Sequence, residues 1–277
     1  MTEQGPGARR SSADSVAGEA YGVSVLLSAD SSDVLARVQD LLPPGWKHRD
    51  VAPSPDTQVA ETAHFRLRSD GEGGYVLHRD GLELARTSLD VALHALDAQL
   101  RAFIALHSPD RIFVHAGVVA VRGRAIVIPG RSFTGKTTLV AELVRAGAIY
   151  YSDEYAVLDD EGLVHPYAKP LSIRTNSYTA TQHDVRELGG SAGDEPLPPG
   201  LIVVAHYRTG GQWKPKRLSR GDAVLALLAN TVPARERPEE TMKALQRAVN
   251  RPGVVALEGE RGEAAPIVQE LLQRVSD

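Results

Sequence analysis

Apolar positions cluster first at residues 21–28 (YGVSVLLS), a strand-like run. Ser31 or Ser32 then stands at an N-cap position before a helical stripe of Val34, Leu35, Val38, Leu41 and Leu42, which Pro43-Pro44 stops. Residues 45–62 show no clear period. Three short runs follow, at 64–68, 74–78 and 82–85, separated by SDGEG and RDG. Such spacing predicts an antiparallel meander with tight turns. Thr87 with Asp90 resembles a capping box. The helix it opens puts Leu93, Leu96, Leu100 and Phe103 on one face, and Pro109 ends it. Residues 21–108 therefore predict a small α+β unit. Residues 1–20 are rich in Gly, Ser, Ala and charge, and they predict a disordered tail rather than a signal peptide.

A second pattern fills residues 109–277. A β-rich run at 111–121 turns at Arg122-Gly123 into a buried strand at 124–129 (RAIVIP). A glycine-containing loop leads into a helix at 139–146 that Gly147 closes. Further strands are expected at 149–152, 155–158 and 171–174. Residues 188–200 (LGGSAGDEPLPPG) have no apolar period and predict a long loop, of the kind that serves as a lid or lacks order. Residues 201–207 and 213–217 read as paired strands. Helices from Ser219, over 238–250 and from Ala264, with a strand at 254–257, complete the pattern.

Composition narrows the function classes. The 277 residues carry 31 basic and 35 acidic side chains, a net charge of −4, so no global positive field draws the chain to nucleic acid or a membrane surface. The absence of cysteine rules out disulfides, thiolate zinc sites and cysteine nucleophiles, and fits a cytoplasmic protein. No apolar run approaches the roughly 18 residues of a membrane helix.

The segment Gly130-Arg131-Ser132-Phe133-Thr134-Gly135-Lys136-Thr137 satisfies the phosphate-loop pattern GxxxxGK[ST] in full, and Thr138 follows it. Gly130 and Gly135 free the backbone to turn successive amides into one concavity, and the following helix adds its positive end. Lys136 can span the β- and γ-phosphates. The Thr137 hydroxyl is a hard oxygen ligand for Mg²⁺. By chance alone the pattern would occur in roughly one or two chains per hundred of this length, but here an apolar strand precedes it and an apolar-periodic helix follows. Residues 130–138 are therefore expected to bind ATP with Mg²⁺.

Asp153 and Glu154 end the next short strand, at the carboxyl edge where ligands bind in such folds. Asp153 could hold Mg²⁺ through water or accept a hydroxyl proton; the competing reading is a carboxylate pair capping a turn. His115, in IFVHAGVVAV, reads from its surroundings as a core histidine. Arg235 and Arg237 could reach a phosphate, but read more simply as solvated charge before a helix. There is no HExxH, GxSxG or complete GxGxxG.

The run HAGVVAVRGRAIVIPGRSFTGKTTLVAELVRAGAIYYSDE (115–154) resembles the catalytic core of the HPr kinase/phosphorylase family and its shorter relatives. A His-Ala pair opens a strand, a hairpin leads into the loop strand, the helix ends in glycine, and a short strand ends in two acids. The likeness extends more faintly over HPYAKPLSIR (165–174). It implies an α/β fold with the P-loop kinase core that this family shares in outline with phosphoenolpyruvate carboxykinases. It further implies that Asp153 takes the proton from a substrate serine and that His115 stands beside the transferred phosphate. Glu154 replaces the family's second aspartate and, with Thr137, would complete the metal shell. Ser172 stands where the family has a metal-binding glutamate. The acceptor expected from the shorter relatives is a serine of a peptide or small protein, as in ribosomal peptide tailoring. A nucleotide-binding regulator without transferase activity, or a kinase of a small metabolite such as free serine, are the alternatives. The family often forms rings, which leaves a homo-oligomer open.

Overall fold

The computed structural model describes residues 14–49, 62–131, 134–174 and 180–275. It divides into two compact units, Met1–Pro109 and Asp110–Asp277. Among the described residues the chain is mixed α/β, with several sheets and six α-helices.

The first unit holds β1 (Asp14–Ala20), β2 (Val23–Ala29), α1 (Ser32–Gln39), β3 (Lys47–Arg49), β4 (Thr62–Ser69), β5 (Tyr75–Arg79), β6 (Leu82–Thr87) and α2 (Leu89–His107). Its sheet has the order β3-β1-β2-β4-β5-β6. The meander β4-β5-β6 is antiparallel, as its turn residues require, and Asp80 and Gly81 turn with φ of 51° and 84°. Leu93, Leu96, Leu100 and Phe103 are all buried on one face of α2.

Two expectations need correction. The expected tail contains a strand: β1 pairs antiparallel with β2 along its whole length, through a turn at Tyr21 and Gly22 (φ 52° and 78°). Its alternation uses Val16, Gly18 and Ala20, residues too small to register as hydrophobic periodicity. Gly18 is needed because a Cβ there would meet the Trp46 ring at 2.3 Å. Residues 1–13 of that expected tail lie outside the described residues. The capping box is also absent. Ser88 is the N-cap and makes no side-chain cap bond, while Asp90 pairs with Arg37 at 2.7 Å.

The second unit begins with β7 (Ile112–Val121) and β8 (Arg124–Pro129), continues through α3 (Lys136–Arg145), β9 (Ile149–Ser152), β10 (Tyr155–Leu158), β11 (Val164–His165) and the hairpin of β12 (Leu171–Arg174) and β13 (Ala180–His183), and reaches β14 (Pro199–Tyr207). After it come β15 (Lys216–Arg217), α4 (Arg220–Leu228), α5 (Pro238–Asn250), β16 (Val255–Arg261) and α6 (Ala265–Arg274). The main sheet runs β11-β10-β7-β8-β14-β16-β15, with β9 also on β7. Strands β8, β14 and β16 are parallel neighbours, so their carboxyl ends share one edge.

Apolar side chains coat both faces of this sheet. Val114, Val118 and Val127 face α4 and α5 through Leu227, Leu245 and Val249. Val119, Ile126 and Ile128 face α3 and α6 through Leu139, Leu143, Ile267 and Leu271. Helix α3 approaches closely because β7 offers Gly117 beneath it, where a Cβ would sit 2.6 Å from Val140 Cγ2. The expected pairing of 201–207 with 213–217 is not found. β14 pairs with β8 and β16, and β15 pairs with β16 instead. Short-range patterning does not encode parallel partners distant in sequence.

The segment 188–200 is not a free lid. Its backbone exchanges bonds with β9 (Tyr150 N to Ser191 O, 2.8 Å; Gly193 N to Tyr150 O, 2.8 Å) and with β11 through Leu197 and Val164. The Tyr151 hydroxyl donates to the Glu195 carbonyl at 2.7 Å, and Gly193 leaves room for that ring.

Candidate active site

The loop between β8 and α3 is placed by the sheet beneath it. Gly130 N donates to His115 O at 3.1 Å, tying the start of the loop to β7. At the far end Gly135 is the N-cap of α3 in the left-handed region, φ 80°. A side chain there would be strained, and its Cβ would lie 2.4 Å from Arg261 Nη2. At Gly130 a Cβ would meet Thr134 Oγ1 at 2.8 Å. Both glycines are thus fixed by sterics, and the amides opening α3 carry its positive end.

Within the loop, Arg131 is exposed, and its carbonyl accepts from both Thr134 Oγ1 (2.9 Å) and Lys136 Nζ (2.7 Å). Ser132 and Phe133 lie outside the described residues. Thr138 is exposed on the first turn of α3. Lys136 is buried, 7% exposed, and among the described residues no carboxylate forms an ion pair with its ammonium. Burial lowers its pKa to about 8, although Asp153 and Glu154 pull the other way.

Asp153 follows β9 and reaches the loop from one side. Its Oδ2 accepts from the Thr137 hydroxyl at 3.1 Å and from the Ser172 amide at 3.2 Å, and its Oδ1 accepts from the Tyr150 hydroxyl at 3.0 Å. Three donors from three elements fix the carboxylate. Because the Thr137 proton is engaged by Asp153, the lone pairs of Oγ1 are left to face a cation. Ser172, in the position expected of a metal-binding glutamate, contributes its main chain instead. Glu154 is half-buried and acts on Lys136 through its charge. It is Asp153, and not Glu154, that reaches Thr137.

His115 sits opposite Tyr155 in the β7–β10 register, its ring edge-on to Tyr155 with centroids 5.8 Å apart. Its Nδ1 lies 2.7 Å from Gly130 O. A carbonyl can only accept, so Nδ1 carries a proton, and in the neutral ring Nε2 is an acceptor. Arg237 donates from Nη2 to Arg111 O at 2.7 Å, and Arg235 is exposed.

No family model matches the chain, and no curated protein matches it. The site therefore stands on its own chemistry.

Three residues outside the sequence reading belong to this edge. Tyr150, 1% exposed, keeps its proton because burial and then Asp153 push its pKa far up, and that one proton is shared between Asp153 Oδ1 at 3.0 Å and Lys169 O at 2.8 Å. Arg261, 2% exposed, ends β16 and donates from Nη2 to Gly135 O at 2.8 Å. Burial lowers its pKa, and among the described residues its Nε has no hydrogen-bond partner. Tyr207 ends β14 with its ring 5.5 Å from the Arg261 guanidinium. In the sequence, only the double tyrosine before Asp153 hinted at any of them.

Proposed function

We propose that this chain is an ATP-dependent kinase, with a P-loop kinase core of the HPr kinase type, that transfers a phosphoryl group to a serine hydroxyl of a peptide or small protein. The observation that carries the reading is the triangle of Lys136, Thr137 and Asp153. A buried ammonium that among the described residues bonds to a loop carbonyl, a hydroxyl whose proton is already taken, and a carboxylate held by three donors converge at a helix N-terminus. That donor set suits a polyphosphate with Mg²⁺, a hard cation that prefers oxygen. Bound there, Mg²⁺ would supply charge neutralisation between phosphate oxygens.

Each residue then has a task. Lys136 and the α3 amides neutralise charge on the transferring phosphoryl group, which is where most of the catalysis of such a reaction lies. Asp153 orients Thr137 and accepts the proton of the attacking serine hydroxyl, whose oxygen forms the new bond to phosphorus as the bond to the ADP oxygen breaks. His115 fixes the entrance of the loop at Gly130 and, as the family resemblance implies, stands beside the transferred phosphate.

Asp153→Asn keeps the shape of the site but accepts no proton. Nucleotide affinity should stay within a few-fold, and transfer of labelled phosphate from γ-labelled ATP to serine-containing peptides should fall about 10²- to 10⁴-fold. Full transfer by this variant would remove Asp153 from the chemistry. Ser172 favours a second reading, a nucleotide-binding regulator without transfer activity. Tight ATP binding by the wild-type chain with no phosphoserine across a broad acceptor panel would select it.

A further inference from the structure

Strands β8, β14 and β16 run parallel, so the loop, Tyr207 and Arg261 emerge at one edge of the sheet. Asp153 approaches Thr137 from β9, which pairs with β7 on the opposite side of β8. A nucleoside triphosphate has two distinct ends. If its terminal phosphate lies toward Asp153, as the proposed function has it, the nucleoside leaves the loop over β14 and β16.

What waits there is an aromatic ring with one covered face. Tyr207 is 53% exposed, although most of its strand is buried. It is close to the loop: a Cβ on Gly135 would be 3.9 Å from Tyr207 Cβ. One face of the ring lies over the Arg261 guanidinium, 5.5 Å from the centroid. That guanidinium is itself fixed, by Gly135 O and by Gly262 O at 2.8 Å each. An arginine 2% exposed, whose Nε has no partner among the described residues, is costly to keep for packing alone. Here it holds the ring in register with the last glycine of the loop and places positive charge beside it.

We infer that Tyr207, braced by Arg261, is the stacking platform for the nucleobase of the triphosphate bound in the loop. The inference rests on the proposed nucleotide site and deepens it. Stacking uses the π-face that every base has and reads no hydrogen-bonding edge. The site is therefore tolerant of base identity, with ATP and GTP binding within a few-fold of each other.

Calorimetric titration of the full chain with ATP, GTP and inorganic tripolyphosphate, each with Mg²⁺, tests this. Tyr207→Ala should weaken ATP and GTP by about 5- to 150-fold, the usual worth of one base–aromatic stack, and leave tripolyphosphate unchanged. Tyr207→Phe should restore both nucleotides. Unchanged ATP affinity in Tyr207→Ala would overturn the inference. So would an equal loss for ATP and tripolyphosphate, which would make the ring a support for the loop. Wild-type protein that binds tripolyphosphate and ATP equally would remove the base platform while sparing the phosphate site. Failure to bind either would remove both.

Discussion

At the scale of single residues, the most consequential is Lys136. Its ammonium is buried and bonded to a carbonyl, with a pKa lowered by burial to about 8. Between about pH 8 and 10.5 the unfolded chain therefore holds more of this proton than the folded one. By linkage, its contribution to stability rises with pH across that window. A bound polyphosphate reverses the balance, since it favours the charged form. Binding of ATP at pH 8 should thus take up about half a proton, and affinity should fall by up to about tenfold per pH unit above 8. Calorimetry in buffers of different ionisation enthalpy reads both; zero proton uptake with flat affinity from pH 7 to 10 would show that Lys136 does not meet the phosphates. The structure brings together Gly130, Gly135, Lys136, Thr137 and Asp153, which the sequence marked as one candidate site through the loop pattern and the acid at the end of the next strand. Tyr150 and Arg261 were not legible there, since each acts by burial beside a partner that no local pattern names.

At the scale of elements, the close seat of α3 on β7 depends on Gly117. Its replacement by Ala would bring a Cβ to 2.6 Å from Val140, a branched side chain with little freedom to yield. Gly117→Ala should cost about 1–3 kcal/mol in urea unfolding, the usual range for overpacking. In a Val140→Ala background that cost should largely vanish, and simple additivity of the two changes would contradict the packing described. Element legibility followed the range of the interactions involved. The meander β4-β5-β6 and helix α2 were readable from alternation, turn residues and an apolar stripe. Strand β1 was missed because Gly18 and Ala20 form its inward face. The end of β16 was missed because Glu258-Gly259-Glu260-Arg261 has no apolar alternation. It is a strand because β14 pairs with it up to Tyr207 and Arg261. That same extension carries Arg261 to the loop.

At the scale of the whole molecule, the chain combines two compact units, and all the residues assigned to the candidate site belong to the second. Its sheet is covered by α4 and α5 on one face and by α3 and α6 on the other, which leaves the strand ends as the place for chemistry. Among the described residues no helix is long and apolar enough to cross a membrane. The proposed function requires the β8–α3 loop to receive a nucleoside triphosphate through Lys136. Isothermal titration of the full chain with ATP and Mg²⁺, beside the Lys136→Ala variant, tests this. Saturable binding by the wild type, weakened at least tenfold in the variant while the fold measured by circular dichroism is kept, is the predicted result. A wild-type chain that shows no binding, or a variant that binds equally well, would contradict it.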